Sequence, residues 1–417
     1  MHTHHHILVA LGAMVAAPTA TAATPGTSND ILLQGFHWES HQGGAGRSWY
    51  EEIQAQANTI RDAGFTHVWF PPPSDAASDE GYLPRQLNRL DSQYGSETQL
   101  RNAISALRNR GVAAVADVVV NHRVGSTSWA DFTNPNWPTH YIVSNDEWNG
   151  PKSVNADSGD NYSAARDIDH INPAAQNAIV SWLENRLEGV GFVGWRFDYV
   201  KGFNGYYVGE YSRRTNPNFC VGELWNDFFL SDNGNGHRQD LMNWIDATQG
   251  RCAAFDFTTK GLLNQVLQHG DYWRLRDLSG RPSGAIGWWP QNSVTFVDNH
   301  DTGPSLNCGN GQNHWPVPCS DVMEGYAYIL THPGIPTVYW AHYFNWNLGS
   351  SIRALMNVRR SMGINSGASV NIVRADHGLY AAIINGTTAM KIGWGSWSPG
   401  AGWTLRTSGN NYAVWTR

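Results

Sequence analysis

The chain has 417 residues, of which 15% are charged, and its formal net charge is -7 at pH 7. This length suits one large barrel of roughly 250 residues or more with a smaller domain attached, and an acidic balance without a basic stripe argues against nucleic acid as a partner. The counts of 20 Trp, 16 Tyr and 43 Gly are high; flat aromatic faces on Gly-rich loops suit sugar rings, although core packing and tight turns account for most of these residues.

Residues 1–22 have most features of a secretory signal peptide. An apolar run at 7–17 is followed by small residues at Ala20 and Ala22, as cleavage requires, although the leading segment carries His in place of Lys or Arg. The run is too short to span a bilayer. We therefore expect a secreted, extracellular protein with no membrane partner and no metal site at the leading histidines. Alternatively, these leading residues are a remnant of an expression tag.

Export would make the four cysteines candidates for disulfide bonds. Cys308 and Cys319 could close a short loop, and Cys220 could pair with Cys252, which precedes the next predicted strand. This is one of three possible pairings, and free buried thiols are the alternative.

Eight short apolar runs are predicted to form strands, and amphipathic segments between them are predicted to form helices. The strand runs are 31–36, 67–70, 113–120, 193–200, 219–224, 253–257, 293–297 and 336–340. The clearest helical patterns are 49–63, 97–109, 173–188, 239–248, 260–269, 322–331 and 351–362. This alternation predicts an α/β fold built as a (β/α)8 TIM barrel.

Two segments depart from the alternation. The segment 123–166 is long, polar and rich in Asn, Asp, Gly and Trp, so we interpret it as an irregular subdomain inserted after the third strand. From 363 to 417, short alternating runs separated by Gly, Asn and Ser predict a small antiparallel β-sheet domain. The catalytic barrel is therefore predicted to consist of residues 23–122 and 167–362.

Polar side chains gather where four of the predicted strands end. The motifs are DVVVNH with Asp117, Asn121 and His122, GWRFDYVKG with Arg196 and Asp198, VGELW with Glu223, and FVDNHDT with His300 and Asp301. The carboxyl ends of barrel strands form the mouth in which TIM-barrel enzymes place their active sites. We therefore expect these acids and histidines to face one cavity.

Several converging carboxylates suit cleavage of an acetal, in which one carboxylate attacks the anomeric carbon and a protonated acid donates to the leaving oxygen. Residues two apart in a strand share a face, so Arg196 is expected beside Asp198, where a cation favours the ionised carboxylate. Glu223 has no basic neighbour in its own motif. These contrasts predict Asp198 as the nucleophile and Glu223 as the acid.

The four motifs resemble, in the same order, the four sequence regions of the α-amylase family of glycoside hydrolases, glycoside hydrolase family 13. The similarity is strongest to plant-type α-amylases, through QGFHWES, EGYLP, FDFTTKG and GWWP, and it extends from about residue 31 to 417. Bacterial maltooligosaccharide-forming amylases share much of the pattern, including FCVGELW. The resemblance implies a monomeric α-amylase that cleaves internal bonds of starch and other α-1,4-glucans with retention of anomeric configuration.

The resemblance also implies a role for each site residue. Asp198 is the expected nucleophile, Glu223 the general acid and base, and Asp301 a third carboxylate that stabilises the oxocarbenium-like transition state. The expected substrate-binding residues are Tyr82, His122, Arg196, Lys201, Trp225 and His300.

Two of the neighbouring side chains have competing interpretations, and a third is predicted to have a structural role. Lys201 and Trp225 are expected on the leaving-group side. Alternatively, Lys201 is a solvated charge at the rim of the cavity, and Trp225 only covers the barrel. Asp117 lies early in its motif, so it is predicted to have a structural role, pairing with Arg196 within the barrel mouth.

The inserted segment carries an acidic cluster in NADSGDNYSAARDIDH, and several oxygen donors on a Gly- and Asn-rich loop suit Ca²⁺. The family pattern implies that the calcium ligands are Asn121, Asp157, Asp160, Asp167 and the carbonyl of Gly202. Asn161 stands where plant enzymes are expected to have Asp, which argues against additional calcium ions. A solvated acidic loop is the alternative.

The motif GWWP places Trp288 and Trp289 side by side before the seventh predicted strand. Plant-type relatives are thought to use such a pair as a platform for starch granules, and hydrophobic packing is the alternative role.

Other functions compete with an endo-acting hydrolase. An exo-acting maltooligosaccharide-forming amylase shares the same motifs, as do transglycosylases, which differ only in the acceptor of the intermediate. A non-catalytic starch-binding relative would be expected to lack one of the three carboxylates, and all three are present. A metal-dependent phosphoryl hydrolase would use its acids and histidines as metal ligands, whereas here Arg196 accompanies Asp198.

Overall fold

Eight parallel strands close into a barrel in the computed structural model, which describes residues 27–417. The predicted signal peptide lies outside the described residues. The barrel strands are β1 (Leu32–Gln34), β2 (His67–Trp69), β3 (Ala113–Val118), β4 (Gly194–Phe197), β5 (Phe219–Gly222), β6 (Ala253–Phe255), β7 (Ser293–Phe296) and β8 (Ile335–Tyr339). Each strand pairs with its neighbour along the chain, and β8 returns to pair with β1. The predicted TIM barrel is confirmed.

Within residues 27–417, eight α-helices surround the barrel. They are α1 (Trp49–Ala63), α2 (Glu97–Arg108), α3 (Pro173–Trp182), α4 (Gly205–Thr215), α5 (Asn235–Ala247), α6 (Phe257–His269), α7 (Val322–Thr331) and α8 (Gly349–Ser361). The boundaries of α1 follow from local chemistry: Ser48 and Glu51 form a reciprocal capping box at its start, and Gly64 ends it with a φ of 97°. Within the described residues, no helix is both long and apolar enough to cross a membrane.

Helix α4 was not among the clear helical patterns, because two glycines weaken its helix propensity. The packing explains one of them: a Cβ on Gly209 would lie 2.7 Å from the carbonyl oxygen of Thr248. Close contact with the segment after α5 therefore requires glycine at a position where a helix would otherwise favour alanine.

The strands are shorter at their carboxyl ends than the apolar runs suggested. The run 113–120 stops being a strand at Val118, and the run 193–200 stops at Phe197. The remaining residues leave the sheet and turn across the mouth of the barrel. These turns carry the polar side chains of the candidate site.

The segment after β3 leaves and re-enters the barrel through one antiparallel pair, His122–Arg123 with Arg166–Asp167. Both arginines of this pair are buried. Arg123 donates to the carbonyl oxygens of Arg85 and Pro135 at 2.9 and 3.1 Å, and Arg166 is paired with Asp146 at 2.5 Å. These contacts fix the inserted segment at its base, beside β3 and β4.

The C-terminal part is a five-stranded antiparallel sheet, as predicted. Its strands are β9 (Val370–Asp376), β10 (Leu379–Ile384), β11 (Thr388–Ile392), β12 (Thr404–Gly409) and β13 (Tyr412–Thr416), ordered β9-β10-β11-β13-β12. Glu324 of α7 joins the sheet to the barrel, since its Oε2 accepts from Tyr272 Oη at 2.5 Å and from Gly393 N at 2.9 Å.

Both favoured disulfides are present. Cys220 in β5 is bonded to Cys252 just before β6, and Cys308 is bonded to Cys319 in the long segment after β7. The first links neighbouring barrel strands, and the second closes a loop at the mouth.

Candidate active site

The three candidate catalytic carboxylates line one cavity of about 620 Å³ at the carboxyl ends of the strands. Asp198 and Glu223 directly follow β4 and β5, which run side by side with Phe197 opposite Gly222. Asp301 comes from the turn after β7, where Asn299 Oδ1 accepts from Asp301 N at 3.1 Å and holds the turn. The barrel thus brings together the three acids that the sequence predicted.

Arg196 is the centre of this group, and its side chain is fully buried. Its Nη1 donates to Asp117 Oδ1 at 2.9 Å and to Asp198 Oδ1 at 2.6 Å, while Nη2 forms an ion pair with Glu223 Oε1 at 2.6 Å. The predicted pairing with Asp117 is confirmed, because β3 and β4 are in register with Asp117 opposite Arg196.

The contact between Arg196 and Glu223 corrects the expectation that Glu223 lacks a basic neighbour. Sequence spacing within one motif could not reveal it, because the neighbour comes from the adjacent strand. One guanidinium group therefore serves both carboxylates of the predicted mechanism, and the difference between them must come from their surroundings.

Burial supplies that difference at Glu223. It raises the pKa of the Glu223 carboxyl well above its ordinary value; Arg196 opposes this shift, and the negative charges of Asp198 and Asp301 add to it. Burial also raises the pKa of Asp301 to about 7. A carboxyl that keeps its proton near neutral pH is suited to donate it to a leaving group.

The pH dependence of activity follows from this shift. We expect kcat to fall as the pH rises through the raised pKa of Glu223, because a general acid must be protonated when substrate is bound. The measurement is kcat against pH on soluble starch, with circular dichroism at each pH to separate titration from unfolding. A loss of activity centred on the ordinary Glu pKa of about 4.3 would contradict the assignment.

Aromatic rings form one wall of the cavity. Tyr82 stacks on His300 with ring centroids 5.2 Å apart, and Trp38 lies parallel to Tyr82 at 6.4 Å. The hydroxyl of Tyr82 donates to Asp117 Oδ2 at 3.0 Å, which fixes the ring. Tyr82 and His300 therefore line the cavity, together with Trp38, a ring that was not predicted. Contact of Tyr82 and His300 with sugar stays a prediction.

His122 is placed differently from the other predicted sugar-binding residues. Its Nε2 donates to the carbonyl oxygen of Tyr82 at 2.8 Å, and its ring stacks on Tyr162 at 3.8 Å. Tyr162 lines the cavity, whereas His122 lies behind it, 2% exposed. The structure thus shows His122 supporting the wall, and its contact with sugar stays a prediction.

Lys201 and Trp225 line the same cavity as Glu223. Trp225 stacks on Phe257 with ring centroids 5.3 Å apart and an interplanar angle of 13°. The Lys201 ammonium lies 5.3 Å from the ring centroid of Tyr199. Aromatic neighbours therefore position both side chains in the cavity wall, and their place on the leaving-group side stays a prediction.

Several cavity-lining residues were missed by sequence analysis. They are Trp38, Tyr162, Tyr199, Asn226, Asp227, Gln312 and His314. Trp38 belongs to the quoted motif QGFHWES, and the last two lie in the loop closed by Cys308 and Cys319. The motif and the cysteine spacing were visible, but neither indicated which side chains face the cavity.

The predicted calcium residues lie where the inserted segment meets the barrel. Asn121 Nδ2 donates to Asp167 Oδ1 at 3.3 Å, and the backbone N–H of Asp160 donates to the carbonyl oxygen of Lys201 at 2.9 Å. Gly202 packs so closely that a Cβ would lie 2.1 Å from Asn121 Oδ1. The glycine lets the barrel turn approach the asparagine side chain.

The chemistry of this group fits a hard cation. Asp157 Oδ2 is buried without a hydrogen-bond partner, and burial raises the pKa of Asp157 to about 6 and that of Asp167 to about 8, with further increases from nearby acids. Unpaired oxygen donors and mutually repelling carboxylates are what a divalent cation relieves. Across residues 27–417, however, no three Asp, Glu, His or Cys side chains gather closely enough to hold a metal.

The two tryptophans of GWWP lie before β7, at the end of the barrel opposite the mouth. Trp288 is 41% exposed, with the guanidinium carbon of Arg238 3.9 Å from its ring centroid. Trp289 is half-buried and packs against the hydrophobic core. The pair therefore combines packing with one accessible ring, and binding of starch granules stays a prediction.

Comparison with known proteins gives similarity in both sequence and fold. The family model for the alpha amylase catalytic domain matches residues 50–223, and that for the alpha-amylase C-terminal beta-sheet domain matches residues 361–416. A probable alpha-amylase 2 of Arabidopsis thaliana is 42% identical over 403 residues, covering 93% of this chain and 94% of the relative.

Two further relatives extend the comparison to bacteria. A glucan 1,4-alpha-maltotetraohydrolase of Stutzerimonas stutzeri is 33% identical, over 85% of this chain and 66% of the relative. The solved alpha-amylase from Geobacillus thermoleovorans, complexed with acarbose, has the same fold, with a TM-score of 0.64 and 16% identity over 87% of this chain and 86% of that one.

Proposed function

Because the chain belongs to the α-amylase family of glycoside hydrolases, we propose that it hydrolyses internal α-1,4-glucosidic bonds of starch and related glucans with retention of anomeric configuration. The observation that carries this proposal is the pair of carboxylates, Asp198 and Glu223, held by the single guanidinium of Arg196. Retaining glycosidases need two carboxyl groups only about 5 Å apart, and one shared cation favours such a short separation.

The proposed reaction has two steps. Asp198 Oδ attacks the anomeric carbon while the bond to the leaving oxygen breaks, and Glu223 gives its proton to that oxygen. Glu223, now ionised, takes a proton from water, whose oxygen attacks the anomeric carbon and releases Asp198. The proton taken from water restores the acid form of Glu223, so the enzyme ends as it began.

Asp301 and His300 are proposed to hold the sugar through both steps. His300 Nε2 lies 3.2 Å from Asp301 Oδ2, and both side chains line the cavity. Burial lowers the pKa of His300 well below its ordinary value, and Arg196 lowers it further. His300 is therefore neutral near pH 7, and the pair offers one N–H donor and one carboxyl to sugar hydroxyls.

Product analysis tests the proposed reaction. We expect soluble starch to lose iodine staining rapidly and to yield mixed oligosaccharides, and we expect NMR to show the α-anomer first in fresh product. One accumulating oligosaccharide with slow loss of staining would favour the exo-acting alternative, which the similarity to maltotetraohydrolases supports. Initial release of the β-anomer would contradict retention.

We also propose a structural calcium ion held by Asn121, Asp157, Asp160, Asp167 and the carbonyl of Gly202. Such an ion would neutralise the acids and tie the inserted segment to the turn after β4, close to Asp198.

Chelation is expected to lower the melting temperature, because a bound ion at 100 times its Kd stabilises the native state by about 2.7 kcal/mol. The measurement is thermal unfolding before and after exhaustive dialysis against EGTA. Added Ca²⁺ should restore the original curve, and Mg²⁺, which demands a smaller octahedral site, should not. An unchanged melting curve after dialysis would contradict the calcium proposal.

We propose that the protein acts outside the cytosol as a monomer. The two disulfides support an oxidising compartment, since such bonds persist mainly in exported proteins.

A further inference from the structure

A buried ion pair lies behind the turn that carries Asp301. Lys260 of α6 is fully buried, and its Nζ donates to Asp298 Oδ1 at 2.6 Å. Asp298 is also fully buried and stands at the start of this turn, two residues after β7 ends. Burial lowers the pKa of Lys260 and raises that of Asp298, and the charge of each partner opposes the shift of the other. Neither side chain has a part in the proposed reaction.

Asp298 joins the ion pair to the turn. Its Oδ1 accepts from Thr302 Oγ1 at 3.3 Å, and Thr302 Oγ1 accepts from Asn299 N at 3.0 Å. Asn299 Oδ1 accepts from the N–H groups of Asp301 and Thr302 at 3.1 and 2.8 Å. Asp301 is therefore held between residues whose side chains connect back to Asp298.

Lys260 is also linked to the loop that returns over the turn. Its Nζ donates to Asn264 Oδ1 at 2.8 Å, and Asn264 Nδ2 donates to the carbonyl oxygen of Trp315 at 2.9 Å. The N–H group of His314 donates to the carbonyl oxygen of Asp301 at 3.0 Å. One ammonium group is therefore connected to both sides of the segment that contains Asp301.

Stability alone gives a weak reason for an ion pair at this depth. Removing two charges from water costs about as much as their attraction returns, so apolar side chains of similar size often stabilise a core at least as well. An ammonium group differs from an apolar side chain because it donates up to three hydrogen bonds, each to a defined acceptor. Lys260 is therefore better suited to orient the turn than to fill the core.

We infer that Lys260 is a positioning residue for Asp301, and that it holds this carboxylate through Asp298 and Asn264 where the sugar contacts it in the transition state. This inference rests on the proposed function, because it assigns Lys260 to that reaction through Asp301. Lys260 is fully buried and cannot contact substrate, so its effect on the reaction passes through the geometry of the turn.

Lys260→Met removes the ammonium group and keeps a long apolar side chain. We expect kcat on soluble starch, measured per folded molecule, to fall about 10- to 100-fold, since misplacing a catalytic group by about 1 Å costs about 100-fold. KM should change by less than about threefold, because an interaction made mainly in the transition state affects kcat. A purely structural role would lower the melting temperature and leave kcat per folded molecule unchanged.

A double-mutant cycle tests whether Lys260 acts through Asp301. Adding Lys260→Met to Asp301→Asn should lower kcat by less than about twofold, because the group that Lys260 positions has already been lost. Losses that multiply in the double variant would overturn the inference.

Arg359→Met is the matched control for loss of a buried cation. Arg359 donates to the carbonyl oxygens of His332 and Gly334 at 2.7 Å each, just before β8 and at the end of the barrel opposite the mouth. Its replacement should lower stability without lowering kcat per folded molecule. An equal fall of kcat in Arg359→Met and Lys260→Met would overturn the inference.

A neutral pair covers the case in which Lys260→Met does not fold. Lys260→Met with Asp298→Asn leaves no unpaired charge in the core, so this variant is expected to fold even where the single replacement does not. It lacks the charge-assisted hydrogen bond between α6 and the turn, so its kcat should be low as well. Normal kcat in this variant would overturn the inference.

Hydrogen–deuterium exchange separates this inference from the proposed function, because it needs no substrate. The backbone N–H groups of segment 298–317 should exchange faster in Lys260→Met, or in the neutral pair, than in the wild-type protein, and no faster in Arg359→Met. Unchanged exchange in this segment would overturn the inference whatever the activity. Failure of the wild-type enzyme to cleave any α-1,4-glucan would instead overturn the proposed function.

Discussion

Asp198→Asn is expected to reduce kcat on soluble starch by about 10⁴- to 10⁶-fold, the range seen when a catalytic nucleophile or its partner is removed. The amide keeps the size of the side chain but cannot form the covalent intermediate. Arg196 keeps its ion pairs with Asp117 and Glu223, so the fold should survive. The measurement is kcat at saturating substrate, together with the free energy of unfolding in urea.

A matched replacement on the surface serves as the control. Asp62→Asn changes an acid whose side chain is 56% exposed at the end of α1, and it should leave kcat unchanged. Full activity in Asp198→Asn would show that another group attacks the anomeric carbon, and the mechanism proposed above would be wrong.

Arg196→Met is expected to lower the free energy of unfolding by about 3–5 kcal/mol, the usual cost of removing one partner of a buried ion pair, and to abolish activity. Three carboxylates that share this guanidinium would be left buried without a cation. Urea unfolding at pH 5 and at pH 8, with kcat at each pH, measures both effects.

Comparing the free energy of unfolding at the two pH values tests whether Arg196 stabilises the protein through its charge. Burial already raises the pKa of Asp117 to about 7 with Arg196 present, and loss of the cation raises it further. An acid with a raised pKa in the folded state binds more protons folded than unfolded, so stability falls as the pH rises through that pKa. The variant should therefore be destabilised more at pH 8 than at pH 5.

Arg359→Met is the control for loss of a buried arginine without loss of charge pairing. Arg359 is buried, and within residues 27–417 it donates only to backbone carbonyl oxygens, including those of His332 and Gly334 at 2.7 Å each. Its replacement should be destabilising to a similar degree at pH 5 and pH 8. A destabilisation of Arg196→Met that is also independent of pH would contradict the role of Arg196 as the shared cation.

Much of the fold and the set of acids that line the cavity could be predicted because the relevant signals are local. A buried parallel strand is a short apolar run, and side chains two apart share a face, so GWRFDYVKG alone placed Arg196 beside Asp198. The carboxyl ends of all barrel strands meet at one mouth. Asp198, Glu223 and Asp301 therefore had to converge once the barrel was recognised.

The features that sequence analysis missed depend on contacts between distant segments. Helix α4 forms although its glycines disfavour a helix, because Gly209 packs against the segment after α5. His122 lies behind Tyr162, which comes from the inserted segment, and no spacing in either motif predicts that stack. Loop conformation, and not the local pattern, decides which side chains face the cavity.

The sequence by itself predicted the order of the barrel elements, the antiparallel C-terminal sheet and the three acids of the cavity, and it favoured two disulfide pairs among three possible pairings. Only the tertiary structure decided that Arg196 is shared by Asp117, Asp198 and Glu223, and that Tyr162 of the inserted segment stacks on His122. Strand periodicity and cysteine spacing can be read directly from the linear sequence. The shared cation and the stack arise from strand register and loop packing, which join segments far apart in sequence.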